Sequence, residues 1–372
     1  MDFRIDQSRF LNALSLAQSV ADRKGTGVTA NVLISAHADH RVICVATDNN
    51  LSITESIEAE TERTGSLTVS AKHLLAVLRT MPAGPLRVES LENNRIQLTS
   101  GRATIQLLGL PERDFPARPD AATATFHTLP TKILRTLIDR TLFSVSSDET
   151  RVNLNGALFE ASPGTLTMVS TDGHRLTKCS VKVPEHPFGE QRLILPRKGL
   201  VELKKVLDQA EETIEVAQAN GYFFARSLRL ILTIKLNNVT FPPYQQVIPK
   251  KYDRQVRLPR QEFLGCLRRA AVLAPEKTST VRIELRPNIL ELVADNPELG
   301  IATQQMELEY SGLPLMAGFN ADYLIAALEA MDEEMAILEF QGELDPCVIR
   351  PGIPPEAKAE SDLLAVVMPM RI

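Results

Sequence analysis

The residues of this chain best suited to chemistry are few and scattered. Asp172 and His174 stand two positions apart in TDGHRL, an acid beside a base of the kind used in general acid–base catalysis. Adjacent strand-turn residues of this kind make no working catalytic constellation, and an Asp-Gly step is a common hairpin signal, so taken alone these residues read more readily as a turn. His37 and His40 lie in AHADHR; a metal centre needs further ligands, and a solvated hairpin accounts for them. Cys44, Cys179, Cys266 and Cys347 are widely spaced with no CxxC pair. Neither a zinc site nor a disulfide framework follows, and buried, reduced thiols are expected. The phosphate-binding patterns GxxxxGK[ST] and GxGxxG are missing, as is the GxSxG nucleophile elbow. The expectation is therefore no catalytic residue, no metal and no cofactor; a hydrolase or nuclease assembled from distant carboxylates stays open.

The elements around these residues recur three times at a spacing of roughly 125 residues. Each copy opens on an amphipathic helix: QSRFLNALSLAQSV from Gln7, PTKILRTLIDRTLFSV from Pro130, PRQEFLGCLRRAAVLA from Pro259. Apolar residues fall at helical spacing in all three, and proline at or near the start suits the second and third. Alternating stretches follow, NVLISAHADHRVICVATDNN, NGALFEASPGTLTMVSTDGH and VRIELRPNILELVADNPE, which read as hairpins. Asp48, Asp172 and Asp295 are expected to close the second strand of each, 124 and 123 residues apart. A second helix begins near Val69, Leu195 and Phe319, and further strands complete each copy. The unit is α+β.

With 372 residues, 44% of them hydrophobic and 23% charged, the chain has ordinary globular composition and room for two or three domains. The N-terminal segment carries Asp2, Arg4, Asp6 and Arg9 where a signal peptide would be apolar. No apolar run reaches membrane-spanning length, so a cytoplasmic protein with no membrane partner is expected. Net charge is −5, against a uniformly basic nucleic-acid coat. Its distribution is uneven: thirteen basic against fourteen acidic residues over 1–125, fifteen against twelve over 126–249, thirteen against twenty over 250–372. Basic residues nonetheless gather near helix ends, at Lys72 and Arg79, Lys204 and Lys205, and Arg268 and Arg269. An acidic exterior with a basic inner face would reconcile the two facts; solvated helix surfaces would as well.

Four segments, RVNLNGALFE from Arg151, STDGHRL from Ser170, LILPRKGLVEL from Leu193 and VVMPMRI from Val366, together with the triplication, resemble the bacterial sliding clamps, the beta subunits of DNA polymerase III. The resemblance implies three tandem clamp repeats, 1–125, 126–249 and 250–372, each with two helices lining a ring and sheets outside, in a head-to-tail dimer. Helix packing agrees with two chains. Six helices about 9–10 Å apart leave a bore of roughly 9 Å, whereas twelve leave roughly 26 Å, enough for a duplex about 20 Å wide.

The function so implied is non-enzymatic: the ring encircles duplex DNA without reading its sequence and tethers the replicative polymerase, conferring processivity. Implied partners are duplex DNA, a second copy, the polymerase III alpha subunit, the clamp loader and other proteins carrying short clamp-binding peptides. The peptide pocket would comprise Arg151, Leu154, Thr171, Gly173, His174, Arg175, Leu176, Pro242 and Val247, with Val366, Met368, Pro369, Met370 and Arg371 from the C-terminus and Asn320 and Tyr323 at the rim. DNA contacts would fall to Arg23, Lys24, Arg197, Lys198 and Lys250, and the dimer contact to Ile105 and Leu107 against Val272 and Leu273. FPPYQQVIPK departs from the family, with Pro243 where an acidic residue is usual and Gln245 and Gln246 where arginines are common, leaving Lys250 and Lys251 as nearby cations. The stretch from Gly352 to Asp362 is longer than usual and reads as a surface loop. An interaction scaffold of clamp ancestry that no longer loads on DNA is the alternative.

Overall fold

The computed structural model describes residues 1–21, 27–184, 186, 188–354 and 360–371. Among these residues six α-helices form, two from each third of the chain: α1 Gln7–Val20, α2 Ala71–Thr80, α3 Thr131–Asp139, α4 Arg197–Gln209, α5 Arg260–Ala271 and α6 Ala321–Glu329. Capping explains several starts. Asp6 accepts the amides of Ser8 and Arg9 at 3.0 and 3.2 Å, and Asn320 accepts that of Tyr323 at 3.1 Å, pairing donors that the first turn of a helix leaves open. Pro259 before α5 makes no side-chain cap.

α3 is shorter than its apolar spacing suggests. The segment from Pro130 reads as one helix, yet α3 ends at Asp139 and Leu142–Ser144 tightens into a 3₁₀ turn. Thr141 Oγ1 donates to Leu137 O at 2.6 Å and Ser144 Oγ to Thr141 O at 3.1 Å, side-chain bonds that compete with the helical ladder. Arg140, 7% exposed, is held between Asp332 and Glu333 at 3.0 and 3.3 Å.

The chain forms two compact units, residues 1–132 with 201–236 and residues 133–200 with 237–372. In the first, thirteen strands hydrogen-bond in one order from His127–Pro130 to Glu60–Arg63. Leu230–Lys235, from the middle third, pairs antiparallel with Leu51–Glu58, so the ladder passes from one third of the sequence to another. α1 buries Phe10, Ala13, Leu14 and Ala17, the i, i+3, i+4, i+7 stripe of an amphipathic helix. It packs on Arg41–Thr47, Leu51–Glu58 and α2. The Phe10 ring meets Phe3 edge-on at 5.8 Å.

The second unit holds an eight-stranded sheet, from Gln191–Pro196 to Arg254–Pro259, and a four-stranded sheet that carries α5. In the larger sheet Arg175–Lys182 pairs with Asp362–Val367, placing Leu176 opposite Val366. The smaller sheet shows plain alternation: Val281, Ile283 and Leu285 are buried on Thr280–Arg286 while their neighbours are not.

Asp48 and Asp172 do follow the second strands of their hairpins, but Asp295 does not. That strand runs on through Asn296, and Asn296 Oδ1 accepts the Glu298 amide at 3.0 Å in the turn. Pro297 is the cause, since a residue before proline stays extended. All four cysteines are free and buried, and His37 and His40 are exposed. Among the described residues no cluster of three or more His, Cys, Asp or Glu is placed to hold a metal, and no helix is long and apolar enough to cross a membrane.

Candidate functional site

In the second unit, the turn after Thr165–Thr171 is built by its own side chains. Asp172 Oδ1 accepts the amides of His174 and Arg175 at 2.9 and 3.0 Å, and Oδ2 takes Arg175 Nε at 2.9 Å. Thr171 Oγ1 accepts the Gly173 amide at 3.1 Å and donates to Arg175 O at 2.6 Å. Gly173 has φ +94°, a conformation that glycine adopts at little cost. A Cβ there would also lie 3.0 Å from Arg151 Nη2. Arg151 Nη1 donates to Asp172 O at 2.8 Å. The Asp172 carboxylate is thus occupied by the turn, and His174 is exposed; the two do not form an acid–base pair.

The C-terminal tail comes to this turn through main-chain bonds, Met368 N to His174 O at 2.9 Å, and goes on to the smaller sheet, Met370 N to Gly318 O at 2.8 Å. Between turn and tail lies a cleft of about 340 Å³ lined by Arg151, Asn153, Leu154, Thr171, Gly173, Arg175, Leu176, Pro242, Tyr244, Val247, Val366 and Met368. Leu154, Leu176 and Val366 are 4%, 2% and 1% exposed, so its floor continues the core. Arg151 is exposed. The Arg175 guanidinium is bonded to Asp172 and lies over the rings of Tyr323 and Phe143 at 4.4 and 5.5 Å, a favourable cation–π position. An apolar floor with one exposed guanidinium suits apolar side chains whose backbone carbonyls need a donor.

Ten of the sixteen expected pocket residues line this cleft: Arg151, Leu154, Thr171, Gly173, Arg175, Leu176, Pro242, Val247, Val366 and Met368. The other six do not. His174 contributes its carbonyl, as above. Asn320 caps α6 and donates to Thr278 O at 2.8 Å, while Tyr323 serves as the platform under Arg175. Met370 Sδ accepts Thr280 Oγ1 at 3.5 Å; Pro369 is half-buried and Arg371 exposed. Asn153 and Tyr244 complete the lining and were missed. Tyr244 lies between two expected wall residues in a proline-rich stretch, and that was the available signal.

Of the expected DNA contacts, Arg23 and Lys24 lie outside the described residues. Arg197 and Lys198 are exposed in the first turn of α4, the end of a helix toward which its dipole is positive. Lys250 and Lys251 are exposed, as are Gln245 and Gln246. Of the basic residues expected near helix ends, Lys205 pairs with Glu202 and Arg268 with Glu329, both at 2.7 Å.

Ile105 and Leu107 are half-buried on Ala103–Leu110. That strand pairs along its length with Arg95–Ser100 but meets Gly65–Ser70 only at Gly109 and Leu110. Among the described residues, 103–108 therefore pair with one strand only and present an open edge on the other side. Val272 is 74% exposed beyond α5 and Leu273 half-buried. In the same unit Gly300–Glu307 ends its sheet with Ile301 64% exposed.

Known proteins match this arrangement over the whole chain. The DNA polymerase III beta subunit family matches in three parts, its N-terminal domain over residues 1–119, its central domain over 128–243 and its C-terminal domain over 245–371. The beta sliding clamp of Pseudomonas putida is 30% identical over 374 residues, with 100% of both chains covered. The crystal structure of the DNA polymerase III subunit beta from Pseudomonas aeruginosa superposes with a TM-score of 0.91 at 29% identity, again over 100% of both chains. The sliding clamp of Bartonella birtlesii, solved bound to griselimycin, gives 0.93 at 30% identity with the same coverage. With its three domains matched in order and full-length relatives at this identity, the chain belongs to the beta sliding clamp family, the beta subunits of DNA polymerase III.

Proposed function

We propose that two copies of this chain, each contributing clamp repeats 1–125, 126–249 and 250–372, close head to tail around duplex DNA and slide along it. The cleft then receives short peptides from the polymerase III alpha subunit, the clamp loader and other DNA-processing proteins. The observation that carries the reading is the cleft itself: in a chain matched end to end by the clamp family, an apolar floor is assembled from the middle-repeat turn and the C-terminal tail. A clamp relative binds griselimycin, and an apolar cleft of this kind is where such a ligand would also fit here. The clamp needs no chemistry of its own, since its work is tethering.

Two open edges support closure. Residues Thr104 to Leu108 carry no charge, although natural proteins usually place charges on strand edges that must stay unpaired. In the proposed dimer this edge, with Ile105 and Leu107, meets Gly300–Glu307, Val272 and Leu273 of the other copy. Unlike surfaces used twice close a two-membered ring. Arg197, Lys198 and Lys250, with Arg23 and Lys24, would face phosphates without reading bases.

A topological tether predicts its own test. Protein loaded on nicked circular DNA should stay with it through gel filtration and leave once the circle is linearised. Equal retention on circular and linear DNA, or a protein that stays monomeric in sedimentation even with a loader present, would overturn the ring.

A further inference from the structure

The stretch from Asn237 to Asp253 supplies one wall of the cleft yet joins no sheet. Among the described residues its main-chain hydrogen bonds are local or terminal. Tyr244 N donates to Pro242 O at 2.7 Å, Gln246 N to Pro243 O and Val247 N to Tyr244 O at 3.1 Å; at the ends, Asn237 N reaches Ile194 O and Asp253 N reaches Phe340 O. Prolines at 242, 243 and 249 remove donors that a ladder would use. Such a stretch is held by side chains. Phe241 and Tyr244 are buried, and Ile248 packs against the same apolar cluster, but apolar contact is non-directional.

The directional tie in its middle is Tyr244, whose hydroxyl donates to Glu160 Oε2 at 2.7 Å. Glu160 sits on Gly156–Ser162 and its other oxygen takes Arg192 Nη2 at 3.0 Å from the adjacent strand, directly opposite in register. The Tyr244 hydroxyl is protonated at neutral pH, as a phenol ordinarily is, and burial first, then the bond to Glu160, push its pKa further up.

We propose that Tyr244 is the positioning residue of the cleft: through the Glu160–Arg192 pair its hydroxyl fixes the wall that presents Pro242 and Val247 to a bound peptide. This rests on the peptide reading above. A wall held in its bound geometry spares a ligand the cost of ordering it.

Tyr244→Phe keeps the ring and removes the tie. Its affinity for a fluorescein-labelled synthetic peptide from the clamp-binding segment of a bacterial polymerase III alpha subunit should fall roughly three- to tenfold, the worth of one hydrogen bond. Amides of Gln245 to Ile248 should exchange with solvent about tenfold faster as local opening becomes easier, with the thermal midpoint little changed. Glu160→Ala should reproduce both effects, Glu160→Gln, which keeps an acceptor, should restore most of the loss, and Tyr244→Phe with Glu160→Ala should be no worse than either alone. Unchanged exchange and affinity in Tyr244→Phe, or losses that simply add in the double variant, would overturn the positioning role. A wild-type protein that binds no peptide, with exchange still faster in the variants, would instead bring down the peptide reading and leave the tie between Tyr244 and the wall standing.

Discussion

The turn at Thr47 to Leu51 in the first unit and the turn at Thr171 to Arg175 in the second are built bond for bond alike. Thr47 Oγ1 donates to Leu51 O at 2.9 Å and accepts the Asn49 amide at 3.1 Å; Asp48 Oδ1 accepts the amides of Asn50 and Leu51 at 3.0 and 2.7 Å. The middle-repeat turn makes the same four contacts, and Asn49 at φ 74° stands where Gly173 has φ 94°. The surroundings differ. Leu51 is buried in the core, and its strand continues into the ladder with Leu230–Lys235. Its counterpart Arg175 reaches back to Asp172 and lies over aromatic rings, Arg151 rests against Gly173, and the C-terminal tail joins at His174. A turn inherited by repetition is scaffold, and the cleft belongs to what each copy has placed beside it.

The largest test removes those neighbours and leaves both turns intact. Deleting Met368 to Ile372 takes away the Met368–His174 and Met370–Gly318 bonds together with part of the lining. Peptide affinity should fall by more than about a hundredfold, about 2.7 kcal/mol, in fluorescence anisotropy, while the sedimentation behaviour of the dimer is unchanged. An affinity within a few-fold of wild type would mean that the tail is not part of the site. A smaller effect separates the two aspartates. Asp48→Ala leaves two amides without their acceptor and should cost about 1 kcal/mol in denaturant unfolding. Asp172→Ala also strips a largely buried guanidinium of its carboxylate and should cost about 1–2 kcal/mol more. It should weaken the peptide as well, which Asp48→Ala should not. Equal costs would show that Arg175 draws nothing from its pairing.

Much of this arrangement is readable along the chain because its causes are local. Helical spacing and capping residues place α1, α2 and α6, and the small turns place the hairpins. Even the failure at Asp295 had its reason two positions away, in Pro297. The early end of α3 is local in part, through the side-chain bonds of Thr141 and Ser144, but the partners of Arg140 just beyond it are carboxylates 192 and 193 residues distant, which no nearby residue announces. Ten cleft residues were named through likeness to a family, since no spacing rule brings Val366 opposite Leu176. Tyr244 escaped for the same reason: its partner Glu160 is 84 residues away, and the stretch around it carries no periodic pattern.

The finest distinction between the two turns is one side chain. Asn49 occupies the left-handed position in the first turn, and asparagine tolerates that conformation better than other non-glycine residues, so Gly173→Asn should cost the fold less than about 1 kcal/mol. Its Cβ, however, would lie 3.0 Å from Arg151 Nη2, and Arg151, being a flexible exposed side chain, would move aside and give up its bond to Asp172 O. If the Arg151 guanidinium is a donor to bound peptide, affinity should drop roughly three- to tenfold. Arg151→Ala should drop it equally, and the two changes together no further, whereas Asn49→Gly should leave peptide binding alone. A Gly173→Asn protein that loses several kcal/mol of stability would show that the two turns are not equivalent after all. One that keeps full affinity would show that Arg151 braces the turn without touching the ligand.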